Sequence, residues 1–366
     1  MYCRPILDFF LGALSPAGFT GWFAQAAAEP GQTYLIKAGP GCGKSTLMRR
    51  LGEADARQGT RGDGAMEHLH CSSDPDSLDG VRLSGASALV LDATAPHTLD
   101  CVYPGAAERV ISLYDTLDNA ALLAHRAEIL ALGARNRQLL QQAAAHYALA
   151  CALLARRRAM AFPTTDKDAV RRFTARLAAR TIPPQRAAAP GLQRHRLLSA
   201  PTPGGPTVFY NTIAPLAAGQ LYAIHDPYGA VGGLMLAQLA AYARENGYEA
   251  YLCHCPTDQR SKLDHLFIPA LGLGFVTSNP WHPMRFAWQK NLHASRFMDH
   301  AALAGDRGVL NDQRRIAAGL IKKTCAVQAR AKAAHDALEQ YYVAAADFTA
   351  VDAVRAKLET FLFPAP

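Results

Sequence analysis

The sequence predicts an α/β protein made of one parallel-sheet unit written twice, each copy carrying a long helical arm. Three observations lead there. Short apolar runs of strand length alternate with segments of helical spacing, the order that builds a parallel sheet with crossover helices. A set of residue anchors recurs in the same order in both halves of the 366-residue chain, which marks a tandem duplication near Ala187. Each copy then closes on a stretch of Leu, Ala and Ile at helical spacing with few breakers. The two units are expected over residues 1–186 and 187–366.

The anchors begin with Phe10 to Phe19, F-L-G-A-L-S-P-A-G-F, answered by Leu197 to Pro206, L-L-S-A-P-T-P-G-G-P. Ala13, Pro16 and Gly18 fall on Ala200, Pro203 and Gly205. Gly31-Gln32 leads into Tyr34–Ile36 as Gly219-Gln220 leads into Tyr222–Ile224. Leu69-His70-Cys71 matches Cys253-His254-Cys255, Leu78-Asp79 matches Leu263-Asp264, and His97 falls on His282. Strands are predicted at Tyr34–Ile36, Met66–Leu69 and Ala88–Leu91, and at Leu221–Ile224, Ala250–Cys253 and Leu273–Val276. Helices are predicted over Ser45–Gln58 and Gly233–Asn246. The arms are predicted over Ala120–Ala161 with Asp166–Ala179, and over Asp312–Ala345 with Ala350–Leu362. They are suited to an antiparallel arrangement beside the sheet. Ala188 to Pro206, rich in Pro and Gly, reads as the connection between the copies.

Bulk properties narrow the class. Half the residues are apolar, as in an ordinary globular protein. No apolar run approaches the ~20 residues of a membrane span, and no small-residue cleavage site follows the apolar patch Phe9–Leu11, which argues against a secretory signal. Eight cysteines lie scattered without a tight framework. With a nucleotide loop they suggest reduced thiols and a cytoplasmic location. The net charge of +8 permits an anionic partner without naming one.

The chemistry centres on Thr33 to Leu47, T-Y-L-I-K-A-G-P-G-C-G-K-S-T-L. An apolar strand, a loop with Gly39, Gly41 and Gly43, and a helix opening at Lys44-Ser45-Thr46 form the context of a phosphate-binding P-loop. Glycines let successive N–H groups turn inward, and the helix N-terminus adds unpaired donors. The motif G-x-x-x-x-G-K-[ST] is kept except at its first glycine, which is Ala38. Gly39, Pro40, Gly41, Cys42, Gly43, Lys44, Ser45 and Thr46 are the expected nucleotide contacts. Lys44 is expected to reach the β- and γ-phosphates of ATP, and Ser45 to hold Mg²⁺.

Asp92 ends the strand Ala88–Leu91, where a carboxylate faces the phosphate crevice; it is the expected second Mg²⁺ group. Asp74 and Asp79 are rivals whose flanks suggest caps of a following turn. Thr94 and His97 lie just beyond the strand, where His97 either senses the γ-phosphate and positions water or is a structural histidine. No Glu follows Asp92, so the base is sought among Asp74, Asp79 and His97. In the second copy Asp226-Pro227-Tyr228-Gly229-Ala230-Val231-Gly232-Gly233 fills the loop. Gly232 replaces the lysine, Gly233 the serine, and Thr277 stands for Asp92, so this copy reads as a pseudo-site.

Two further patterns carry competing readings. Cys253-His254-Cys255 with His70 and Cys71 lacks the knuckle spacing of a zinc site and reads as buried thiols. Arg156, Arg157, Arg158, Arg171, Arg172, Arg176, Arg180, Arg194 and Arg196 make the first arm basic. A solvated helix face is the commoner reading, and nucleic-acid binding the sharper one.

With K-A-G-P-G-C-G-K-S-T, H-C-S-S-D-P-D-S-L-D-G and D-A-T-A-P-H together, the chain resembles a family of uncharacterised bacterial two-copy P-loop ATPases over essentially its whole length. The resemblance implies ATP binding through Gly39 to Thr46. The expected function is a Mg-dependent ATPase or ATP-driven switch with one working site, the halves forming an intramolecular pseudo-dimer. Arg260 or Lys262 of the second copy is a candidate finger for that site. A small-molecule or nucleotide phosphotransferase and an ATP-regulated nucleic-acid-associated protein are the alternatives.

Overall fold

A computed structural model describes residues 5–57, 64–185 and 189–363. The expected boundary between 186 and 187, and the expected end of the first-copy helix at Gln58, lie outside the described residues. The first half runs β1 (Ile6–Phe10), β2 (Gly12–Ser15), β3 (Gly18–Gly21), α1 (Phe23–Ala27), β4 (Gln32–Lys37), α2 (Lys44–Arg57), β5 (Met66–Cys71), β6 (Asp74–Leu83), β7 (Ala88–Asp92), β8 (Glu108–Ser112), α3 (Asn119–Ala124), α4 (Arg126–Ala161) and α5 (Lys167–Thr181). The second runs β9 (Gln193–Arg196), β10 (Ser199–Thr202), β11 (Gly205–Val208), α6 (Ile213–Leu216), β12 (Gln220–His225), α7 (Gly232–Glu245), β13 (Ala250–Cys255), β14 (Asp258–Ile268), β15 (Leu273–Ser278), β16 (Gln289–His293), α8 (Arg307–Ala345) and α9 (Phe348–Leu362).

Two six-stranded sheets result, ordered β1-β5-β6-β7-β4-β8 and β9-β13-β14-β15-β12-β16. They match strand for strand, so the duplication inferred from the anchors is a duplication of structure. The parallel sheet expected from the sequence is mostly but not wholly parallel. β6 pairs antiparallel with both β5 and β7, and β14 with both β13 and β15. Asp74 to Leu83 is therefore a strand, so Asp79 lies inside it and does not cap a following turn.

Side-chain alternation along the strands sets the layers. Leu35 on β4 and Leu221 and Ala223 on β12 enter one core shared by the two sheets, joined there by Phe9, Leu69, Tyr251 and Phe267. Tyr34 and Ile36 point the other way, into a core under α2, as Tyr222 and Ile224 do under α7. The sheets thus pack face to face, and helices cover the outer faces. Phe9 stacks on Tyr251 across the junction with ring centroids 5.3 Å apart.

The arms cross between halves. α4 and α8 run antiparallel and share a core of Leu139, Ala143, Tyr147, Ile321 and Cys325. Beyond α4, α5 docks in the second half's helical core through Val170 and Leu177. Beyond α8, α9 docks in the first half's through Val351 and Leu358. Both docking helices use the same start signal. Asp166 accepts from the Ala169 N–H at 2.9 Å, and Asp347 accepts from the Thr349 and Ala350 N–H groups at 2.9 and 3.1 Å. Among the described residues no helix is long and apolar enough to cross a membrane.

Candidate functional site

The loop between β4 and α2 is shaped by two glycines in the left-handed region, Gly41 at φ +67° and Gly43 at φ +76°, a conformation that costs a residue with a Cβ. Lys44 curls back over the loop. Its Nζ donates to the Gly39 carbonyl at 2.7 Å and lies 3.4 Å from Asp92 Oδ2. The other Asp92 oxygen accepts from the Thr94 N–H and hydroxyl at 2.9 and 2.5 Å. Ser45 Oγ accepts from the Leu78 N–H of β6 at 3.0 Å, next in the chain to Asp79. Cys42 is buried with its thiol against the Pro40 carbonyl, and burial pushes that thiol's pKa up. Thr46 is exposed on α2.

Lys44, Ser45 and Asp92 are therefore brought to one place, and the structure adds Asp79. This carboxylate, assigned to a turn by sequence, is 4% exposed. Its Oδ1 lies 3.5 Å from His97 Nε2, while Asp79 Oδ2 and His97 Nδ1 have no hydrogen-bond partner. His97 stacks on Phe23 at 4.5 Å. Burial alone would lower the imidazole's pKa, but Asp79 beside it and Asp92 beyond hold the net shift upward. A histidine that is protonated more readily, paired with a carboxylate carrying a free oxygen, is equipped to hold or move a proton.

The other half's arm closes over this loop. A Cβ at Gly39 would come within 2.6 Å of the Tyr342 ring, and one at Gly41 within 2.9 Å of Val343. Glu339, one turn earlier on α8, lies against Gly41 and faces its N–H, and its pKa is lowered, chiefly by the hydrogen bond from His335. Lys332 of the same helix lies 3.6 Å from Asp74. The cation expected from Arg260 or Lys262 is not the one that approaches this loop. Lys262 is ion-paired with Asp264 beside the second loop, because β14 belongs to the second sheet.

The second loop is filled from within. Asp226 stands where Ala38 stands in the first, and its carboxylate fills the turn. Oδ1 accepts from the Gly229 and Ala230 N–H groups at 2.9 and 3.3 Å, and Oδ2 from Val231 and Gly232 at 2.9 and 2.7 Å. Backbone donors of this kind form an anion nest; here the anion is covalently supplied. Lys262 reaches this loop from β14, its stem lying beside Gly229 and Gly233. Asp264 Oδ2 lies 3.4 Å from His282 Nε2, repeating Asp79–His97. The flanking cavity holds about 130 Å³ between α4 and this loop, below the ~300–1,000 Å³ of most small-molecule sites.

Several arginines of the basic arm serve packing. Arg157 donates to the Leu310 and Pro227 carbonyls, Arg158 pairs with Asp258 at 2.9 Å, and Arg194 and Arg196 enter a cluster with Glu29. Arg156, Arg171, Arg172, Arg176 and Arg180 are exposed. No family model, curated protein or solved structure matches the chain.

Proposed function

We propose that the first half binds one Mg–ATP through residues 39–46 and that the chain is an ATPase or an ATP-driven switch. The observation that carries this reading is the contrast between the loops. The second loop spends four N–H donors on Asp226, whereas the first has Ala38 at that position, keeps Lys44 and Ser45, and gathers Asp79, Asp92 and His97 around them. The hydroxyl of Ser45 and the carboxylate of Asp92 are hard oxygen donors, the set Mg²⁺ prefers. Bound there, Mg²⁺ would neutralise phosphate charge. Lys44 holds phosphate oxygens, and the His97–Asp79 pair orients water and accepts its proton. The resemblance to two-copy P-loop ATPases supports the same reading.

Glu339 competes with the phosphates for the Gly41 N–H, so nucleotide entry requires the arm to release that contact. Calorimetric titration with ATP is expected to give one site per chain, weakened when Mg²⁺ is withheld; two equivalent sites would refute the reading of the second loop. Glu339→Gln is expected to bind ATP roughly 5–30-fold more tightly, the equivalent of about 1–2 kcal/mol for removing a charged competitor. Unchanged affinity in that variant would mean that the carboxylate does not compete. Release of inorganic phosphate, rather than a phosphorylated acceptor, separates hydrolysis from phosphotransfer.

A further inference from the structure

We propose that Asp8, His68 and His70 form a binding site for a divalent transition-metal ion of the zinc class, separate from the nucleotide loop. β1 and β5 are parallel neighbours in the register Asp8↔His68 and Phe10↔His70. Leu7, Phe9 and Leu69 turn into the core between the sheets, so alternation places Asp8, His68 and His70 together on the opposite face. Asp8 Oδ1 lies 2.8 Å from His70 Nε2 and 3.8 Å from His68 Nδ1. These separations straddle the ~3.3 Å edge of a tetrahedron built on ligand bonds of about 2.0–2.1 Å. Among the described residues this is the one group of three or more His, Cys, Asp or Glu side chains whose ligand atoms gather within 4.8 Å.

The contacts of His70 point to a cation. Its Nδ1 faces the Pro75 carbonyl at 2.7 Å. A carbonyl carries no proton, so Nδ1 is the donor, the arrangement that orients a metal-bound histidine. In the neutral ring Nε2 then presents a lone pair to the Asp8 carboxylate 2.8 Å away. Two lone pairs at that distance repel unless a positive centre lies between them. The surroundings hold the carboxylate in place: Asn211 donates to Asp8 Oδ2, Thr212 Oγ1 accepts from the Asp8 N–H at 2.8 Å, and Phe209 packs on His70 at 4.7 Å.

The second half supplies an internal comparison. His195 and His254 occupy the places of Asp8 and His70, Leu252 that of His68, and Trp22 that of Phe209. There the two imidazoles satisfy each other, His195 Nδ1 to His254 Nε2 at 2.8 Å, under Trp22 stacked on both. That copy has neither the carboxylate nor a third ligand. In the first copy, two imidazoles and one carboxylate favour zinc-class ions over Mg²⁺, and three protein ligands leave a position for water.

The test is Zn²⁺ titration of the untagged full chain by calorimetry, with Mg²⁺ in excess to occupy oxygen-only sites. One Zn²⁺ per chain is expected. His68→Leu, which installs the residue the second copy already carries on the equivalent strand, is expected to weaken binding by at least ~10–100-fold, the loss seen even for outer-shell residues. Asp8→Asn should weaken it comparably, and His195→Ala should leave it unchanged. Failure of the wild-type chain to take up Zn²⁺ overturns the proposal and leaves a proton as the bridge; so does equal affinity in wild type, His68→Leu and Asp8→Asn.

Discussion

Replacing Lys44 with alanine is expected to lower ATP affinity on the order of 100-fold, whereas replacing Lys262 with alanine should leave it unchanged. The argument is geometric. Lys44 Nζ sits at the mouth of the first loop, held by the Gly39 carbonyl and by Asp92 at 3.4 Å. Phosphate oxygens would exchange those partners for a stronger one, and removing the cation from a desolvated charge pair costs about 2–5 kcal/mol. Lys262 lies beside the other half's loop, but Asp264 already pairs with it and Asp226 already fills that loop. Titration of ATP into both variants decides the matter, with unfolding midpoints recorded to show that each remains folded. Wild-type affinity in Lys44→Ala would remove the first loop as the nucleotide site.

The core strands and the arms were legible because each rests on local periodicity, and the duplication because its anchors recur in order in both halves. The strand, the glycine loop and the helix opening at Lys44 were equally legible, because they are contiguous. What escaped was set by partners distant in the chain. Asp74 and Asp79 read as caps of a following turn, yet they belong to β6, which β5 and β7 flank on both sides. Its Gly80 serves packing rather than turning, since a Cβ there would fall 2.7 Å from the Leu91 side chain. Asp79 was thus visible as a candidate and misplaced in structure. Asp226 stood in the loop sequence unremarked, because its hold on four N–H groups exists only once the loop has closed. The crossing of α5 and α9 leaves no trace in a helical stripe, which specifies that a face is buried without specifying against what. Asp8 and His68 join His70 only through the β1–β5 register.

Glu67→Ala is expected to destabilise the chain by about 3–5 kcal/mol, because it strips the counter-charge from arginines buried where the halves meet. Glu67 and Arg196 are both fully buried, joined at 2.7 Å between β5 of one half and β9 of the other. Arg82 Nε lies 3.2 Å from the same carboxylate, Tyr251 donates to it at 3.1 Å, and Glu29 holds the second edge of Arg196 at 2.8 Å. Burial alone would raise the Glu67 pKa; Arg196 and Arg82 overcome it and hold the group down to about 2, against an ordinary value of 4.5. A folded-state value below the unfolded one gives stability that is complete above about pH 4.5 and lost as pH falls toward about 2. Urea unfolding of wild type should show its midpoint falling through that window, and Glu67→Ala should show a low midpoint already at neutral pH with a weaker dependence below pH 4.5. The double variant Glu67→Met with Arg196→Met should recover much of the loss, since a well-packed apolar pair carries no desolvation cost. A loss below ~1 kcal/mol in Glu67→Ala, the scale of an exposed pair, would mean that water reaches the cluster and that the halves are held together by their apolar faces alone.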